Sequence, residues 1–369
     1  MIDVLNISIP FFALIFLGFG AHAIGFIDAA GARTMSRFAF YVTLPPYMFL
    51  KVSASEPSSI LNWGFVWRYE SGTIIMYLTA AAIGYWLFGL KRLESGIFGL
   101  NVAYPNYGYM GIPLAILAFG DAAALPMALI LFADTIMLLA LTSCFVAGND
   151  GSVTESAKRI AITMVSNPLV LAVLAGLLFS TSGLPLPKIP QQFGSLLAGA
   201  AAPVALFALG ATLFGQPVRA AAGEVTAIFL LKLIVHPLLV AFFFLAIPGQ
   251  DPLWIKVAIL SSCLPVAANV FMLANHYGAY TGRTASAILV STVFASTTVP
   301  IFLYWLFYGQ GQPAKQKPSP PCSRCATYRL AGRVHACQHF AGRNLMLEYA
   351  RRFNRSDALY LLTESCLIS

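Results

Sequence analysis

Charge is scarce in this sequence. Of its 369 residues only 10% are Asp, Glu, Lys or Arg, against about 25% in an ordinary soluble domain. That shortage excludes a water-facing surface over a chain of this length. The first 32 positions hold no Lys or Arg, and Arg33 is the first basic residue. A cleavable leader needs a basic segment before its apolar core, so the first apolar run is expected to remain a membrane helix. No phosphate-binding G-x-x-x-x-G-K-[ST] loop occurs, so direct ATP drive is not expected. The alternating polarity of a transmembrane barrel is also missing: "ALPMALILFADTIMLLALTSCFVA" does not alternate. The apolar runs show no nucleophile with its base, no paired acids and no metal cluster. Asp134 stands there without an apparent carboxylate partner, and an enzyme is not expected. Cys144 and Cys263, the cysteines in apolar runs, are expected to be packing residues.

Apolar side chains are abundant instead. They make up 59% of the chain, and runs of about 18 residues or more recur as far as residue 308. Ten membrane spans are expected, at residues 4–25, 33–53, 65–90, 95–118, 122–147, 161–180, 191–214, 222–247, 253–276 and 284–308. The polar stretch "AGNDGSVTESAKR" divides them into two groups of five. The expected organisation is a first repeat at 1–147, a cytoplasmic linker at 148–160, a second repeat at 161–308 and a basic, disordered tail at 309–369. A shift of 158 residues aligns Pro10 with Pro168, Gly18 with Gly176, Gly25 with Gly183, Pro45 with Pro203 and Phe49 with Phe207. A shift of 160 aligns Pro105 with Pro265. The matches fall on residues that set backbone shape. Repeats of five spans must cross the membrane in opposite senses, the inverted arrangement of many secondary transporters.

The net charge of +8 is unevenly placed. Before residue 309 there are 13 basic and 11 acidic residues; the tail has nine and three. A nearly neutral membrane region with a basic tail is no basis for a nucleic-acid partner; the lipid bilayer is the expected one. Arg33, Arg37, Lys91, Arg92, Lys158, Arg159, Arg219 and Arg283 fall in one set of loops. Lys51, Arg68, Lys188 and Lys256 fall in the other. The richer set belongs in the cytoplasm, which puts both termini outside a cell (inner) membrane. In the tail, "GQGQPAKQKPSPP" has the composition of a disordered linker. Beyond it Cys322, Cys325, His335, Cys337 and His339 fit no standard zinc spacing, and neither metal nor cofactor is expected.

Two apolar spans contain sequences unsuited to a plain helix. "NVAYPNYGYMGIPL" (Asn101–Leu114) places Gly108 and Gly111 between Pro105 and Pro113. "SSCLPVAANVFMLANHYG" places Asn269 one turn after Pro265. A mid-helix proline removes one hydrogen bond and clashes with the preceding turn. In hydrocarbon the freed groups require protein or a water-filled cavity around them. Two broken helices are expected to cross near the midplane, with half-helix N-termini suited to a carboxylate. Asn106 and Asn269 would add neutral hydrogen bonds, and Tyr107 and Gly108 belong to the same break. Plain proline kinks are the alternative.

At these residues the sequence resembles the auxin efflux carrier family, bacterial branch. "PNYGYMGIPL" is similar to the family's fourth-span crossover motif and "LPVAANVFMLANHYG" to the ninth-span crossover. "PVALFALGATL" and "STVFASTTVPIFLYWL" resemble the seventh and last spans, so the likeness covers about residues 1–308. The resemblance implies an all-α fold of ten spans in two inverted repeats, with broken, crossing helices 4 and 9. It implies a scaffold from spans 1, 2, 6 and 7, a transport domain from the rest, elevator-type movement, and a homodimer. It implies an organic-anion cargo such as malonate, and carries Pro105, Asn106, Pro265 and Asn269 into the substrate site. Plant members often have a polar residue directly after the second crossover proline; here it is Val266. The long cytoplasmic loop of many plant members is also missing.

Three further residues are coupling candidates. Asp134 is a carboxylate at membrane depth, a site for a proton or cation, or else a residue paired within the bundle. Lys232 and His236 are one turn apart on one face, placed to meet an anion or Asp134, although Lys232 has the length to snorkel to the interface. The function expected is a secondary carrier of small carboxylates. The alternatives are a sodium-coupled anion symporter of the bile-acid-carrier type and a non-transporting membrane sensor.

Overall fold

Several helix interruptions in this chain fall at prolines, while Pro10, Pro203 and Pro300 lie inside continuous helices. A computed structural model describes residues 2–55, 62–146, 158, 161, 162, 164–216 and 222–309. Its elements are α1 (Ile2–Ala23), α2 (Ala29–Phe38), α3 (Leu44–Ser53), α4 (Trp63–Trp86), α5 (Arg92–Ala103), α6 (Ile112–Phe119), α7 (Ala124–Val146), α8 (Pro168–Ser182), α9 (Lys188–Leu213), α10 (Ala222–Leu230), α11 (His236–Ala246), α12 (Pro252–Ser262), α13 (Ala268–His276) and α14 (Thr281–Tyr304). Wide π-turns occupy Ala39–Thr43, Tyr107–Gly111, Leu231–Val235 and Trp305–Gly309. Each of the first three begins six residues before a proline: Pro45, Pro113 and Pro237. In each, the N–H of the residue just before that proline reaches back five positions: Leu44 to Ala39, Ile112 to Tyr107, His236 to Leu231. The wide turn keeps that bond while the proline ring is accommodated.

Five helical stretches are long and apolar enough to cross a membrane by length and composition: Ile2–Ala23, Asp121–Phe145, Lys188–Leu213, Ala222–Ala246 and Thr281–Gly309. The other apolar helices are shorter or interrupted, or, like α4, carry Arg68 and Glu70. α4 rises about 35 Å and has an exposed tryptophan at each end, Trp63 and Trp86. Tryptophans at that spacing suit the two interfaces of a bilayer. Exposed Leu178, Ile189, Leu196 and Phe242 supply apolar surface along other helices.

The closest packing is made by glycine. α1 packs chiefly on α9, and α3 on α8. A Cβ on Gly18 would lie 2.0 Å from the Phe207 carbonyl oxygen, and one on Gly210 would lie 1.8 Å from that of Ile15. Backbones touch there, and no larger side chain fits. A Cβ on Gly176 would lie 3.2 Å from the Phe49 carbonyl oxygen. The 158-residue shift therefore exchanges the Gly18–Phe207 contact for the Gly176–Phe49 contact. Gly25 and Gly183, also matched by that shift, both have positive φ, at 78° and 66°. Helices α1, α2, α3, α8 and α9 pack mainly on one another, while α4 packs on α5, α7 and α11, and α12 on α11 and α7.

A polar clasp ties the start of α10 to the start of α14. The Tyr280 hydroxyl donates to Glu224, Arg283 pairs with Glu224 at 3.3 Å, and the Arg283 guanidinium lies 5.1 Å from the Tyr280 ring centre. Burial, then the bond to Glu224, pushes the Tyr280 phenol well above its ordinary range, so it remains a donor. The expected tail beyond residue 309, its Cys and His residues, Arg159, Arg219 and nearly all of the 148–160 linker lie outside the described residues.

The glycine contact is testable. Gly210→Ala should destabilise the protein by about 1–3 kcal/mol, because the two backbones must part. Gly199→Ala, whose Cβ would meet nothing within 4 Å in the same helix, should be neutral. Thermal unfolding in detergent compares them, and equal midpoints would show that the α1–α9 contact tolerates side chains.

Candidate functional site

The two interrupted spans cross as extended chain. α5 ends at Ala103 and α12 at Ser262, each shortly before its proline. Tyr104, the residue preceding Pro105, is extended, as a residue before proline prefers. Pro105 and Val266 form an antiparallel bridge. The Asn106 N–H donates to the Pro265 carbonyl at 2.9 Å, and the Ala267 N–H to the Tyr104 carbonyl at 3.1 Å. The Val266 N–H donates to Ser291 Oγ at 3.1 Å. Each break thus satisfies backbone that its own helix has released.

Asn106 directs the restart of the first broken helix. Its backbone oxygen accepts from Gly111 N–H at 2.9 Å and Met110 N–H at 3.3 Å, and its Oδ1 accepts from Tyr109 N–H at 3.4 Å. The residue is 2% exposed, and Nδ2 has no hydrogen-bond partner. A buried amide donor left unpaired costs about 1–3 kcal/mol. Asn106 lines a small cavity of about 20 Å³ with Tyr104, Pro105, Tyr107, Gly108 and Asn269. The structure thus brings these sequence-predicted residues together, while Pro265 lies behind them as a backbone acceptor.

A larger cavity of about 650 Å³ adjoins it, and Phe40, Tyr109, Ala268 and Asn269 line both. Its wall carries Arg33, Arg37 and His22 and no acidic residue. Tyr109 Oη donates to the Ser36 carbonyl at 3.3 Å and its ring stacks near Phe40, which joins the break to α2 and its π-turn. The opening toward the crossover is therefore electropositive.

Asp134, Lys232 and His236 form a separate buried cluster behind the break, and none of them lines either cavity. The Tyr107 hydroxyl donates to Asp134 Oδ2 and lies 2.8 Å from the Tyr69 hydroxyl. Lys232 is fully buried, so it does not snorkel. Its Nζ donates to the Ala103 carbonyl at 3.4 Å, at the C-terminal end of α5, where a cation is favoured. It also donates to His236 Nδ1 at 3.2 Å, and His236 Nε2 lies 3.3 Å from Thr73 Oγ1. The Lys232 charge acts on Asp134.

One expectation is corrected here: Asp134 does have a carboxylate partner. Glu70 of α4 is 5% exposed, and its carboxyl group interacts with that of Asp134. The signal was an acid inside "WRYESG". Near the start of a span and two residues from Arg68, it looks interfacial, yet it lies about 10 Å along α4 from Trp63. Arg68 turns away, donating to the carbonyls of Gly64 at 2.6 Å and Pro248 at 3.2 Å.

Comparison with known proteins finds membrane transporters. The sequence pattern of the family described as "Membrane transport protein" matches residues 4–303. A protein of Rhizobium meliloti (strain 1021) named "Putative malonate transporter" is 32% identical over 315 residues, covering 84% of this chain and 98% of the relative. An "Uncharacterized transporter" of Methanothermobacter thermautotrophicus is 27% identical, covering 78% of this chain and 94% of its own. The "Uncharacterized transporter YfdV" of Escherichia coli (strain K12) is 20% identical, covering 80% and 95%.

The bond between the break and the cluster predicts a stability difference. Tyr107→Phe leaves Asp134 Oδ2 without its donor and should cost about 1–3 kcal/mol. Tyr109→Phe loses only a half-buried bond and should cost less. Unfolding midpoints of both variants in lipid nanodiscs test this, and a larger loss for Tyr109→Phe would reverse the assignment.

Proposed function

The chain belongs to the membrane transport protein family, the auxin efflux carriers that its fourth span resembles, and from that premise we propose that it is a secondary carrier of small carboxylate anions with its site at the crossover. The observation that carries this reading is the unpaired Nδ2 donor of Asn106, buried in a cavity without acidic residues. A carboxylate oxygen accepts from that donor, and Asn269 lines the same space from the other half-helix. The exposed Arg33 and Arg37 raise the local concentration of anions at the entrance. Malonate, the substance in the name of the Rhizobium relative, is the first cargo to test.

In this reading the chain has ten spans in two inverted repeats, at 1–147 and 161–308, joined by a cytoplasmic linker. The reciprocal Gly18–Phe207 and Gly176–Phe49 contacts support it. The helices packed around α1 and α9 serve as scaffold. Those around α4, α5 and α12 carry the cargo past it in an elevator movement, in a homodimer of the inner membrane with both termini outside. A sodium-coupled carrier of the bile-acid type would line its breaks with acidic residues, and among the described residues neither cavity has one. A sensor would need an output module in the tail, outside the described residues.

The test is uptake of labelled malonate into proteoliposomes. Asn106→Ala should lower kcat/KM about 10- to 100-fold, the worth of one hydrogen bond to a charged group. Uptake at the wild-type rate in this variant would remove the cargo from the crossover. Replacing both Arg33 and Arg37 by Gln should raise KM several-fold at low salt, with the difference fading at high salt.

A further inference from the structure

Behind the crossover, two carboxyl groups and one ammonium group share a site closed to water. Glu70 is 5% exposed; Asp134 and Lys232 are fully buried. Three of the four carboxyl oxygens, Glu70 Oε1 and Oε2 and Asp134 Oδ1, have no hydrogen bond of ordinary geometry. The fourth, Asp134 Oδ2, accepts from Tyr107. Among the described residues, the other groups around the pair offer no second cation. Tyr69 stands beside Glu70 on α4, Tyr104 and Tyr107 come from the break, and Cys263 follows α12. With Lys232 as an ammonium donor, His236 Nδ1 accepts, and the ring is neutral with its proton on Nε2 toward Thr73.

Charge then decides the occupancy. With both carboxyls ionised and one ammonium present, the site carries net charge −1 in a low-dielectric interior. Two carboxylates facing each other cannot both stay ionised there without a further cation. A single proton removes the net charge and supplies a donor for an otherwise unsatisfied oxygen. We propose that Glu70 and Asp134 share one exchangeable proton, and that this carrier moves its anion together with that proton.

The linkage has a definite sign. Tyr107 follows Asn106 in the chain, lines the crossover cavity and donates to Asp134. An anion held at Asn106 sits beside the pair and opposes its ionisation, so anion and proton favour each other's binding. The exchange balances: a hydronium ion gives one proton to the carboxyl pair and leaves as water, and release returns that proton to water. The proton leaves the carboxyl pair and Lys232 without net charge, so only the cargo's own charge stands at the cavity when both are bound. This inference rests on the crossover being the cargo site, but the proton itself is measured independently.

Two measurements test it. Infrared spectra of the protein in nanodiscs at neutral pH should show the carbonyl stretch of one buried protonated carboxyl group. In Glu70→Gln that band should vanish, because Asp134 alone pairs with Lys232. Absence of the band in the wild type, or its persistence in Glu70→Gln, would overturn the shared proton. In proteoliposomes, an inward proton gradient should drive wild-type malonate accumulation severalfold above the level at equal pH. Glu70→Gln should exchange malonate without responding to the gradient. Accumulation that follows a sodium gradient instead, with no infrared band, would replace the proton by a metal cation and sink the proposal. If neither form exchanges malonate, the cargo assignment fails, and the infrared band decides the carboxyl pair by itself.

Discussion

Backbone amides and carbonyls have no water to bond in hydrocarbon, and that constraint organises this protein. Wherever a proline opens a helix, a partner appears for the released groups. At three prolines the partner is a π-turn in the same helix. At Pro105 and Pro265 it is the other broken helix, through the antiparallel bridge and the bonds from Asn106 to Pro265 and from Ala267 to Tyr104. Satisfying the backbone across the two breaks brings their side chains to one place. The candidate site is a consequence of that repair.

The same economy leaves few polar groups without partners, so those that remain carry information. Asn106 Nδ2 and three carboxyl oxygens of Glu70 and Asp134 are among them. Tyr107 stands between the two groups, with its backbone in the break and its hydroxyl on Asp134. Burial of Lys232 beneath the end of α5 is tolerable because a helix C-terminus and a carboxylate both favour the ammonium. Away from these groups the packing is apolar and close, and at Gly18 and Gly210 it is limited only by backbone contact.

Much of this was legible in the order of residues. Membrane helices follow from long apolar runs, because a span of lipid needs that many apolar residues in succession. The breaks at Pro105 and Pro265 follow from covalent structure, since proline lacks a donor wherever it stands. Asn106, Tyr107, Gly108 and Asn269 could be named because each lies within a few residues of a break. Glu70 escaped because its partner is 64 positions away in the chain, and its near neighbour Arg68 made it look like an interfacial residue.

By itself, then, the sequence determined the membrane environment, the places where helices interrupt and the family to which the chain belongs. Those properties depend on local composition and on the chemistry of single residues. Tertiary structure alone decided that the two breaks pair with each other, that Lys232 turns inward instead of reaching the interface, and that Glu70 meets Asp134. It also decided which half of the Asn106 amide stays free. Such facts depend on which helices lie side by side, and the burial of a charge or a donor exists only once distant segments have closed around it.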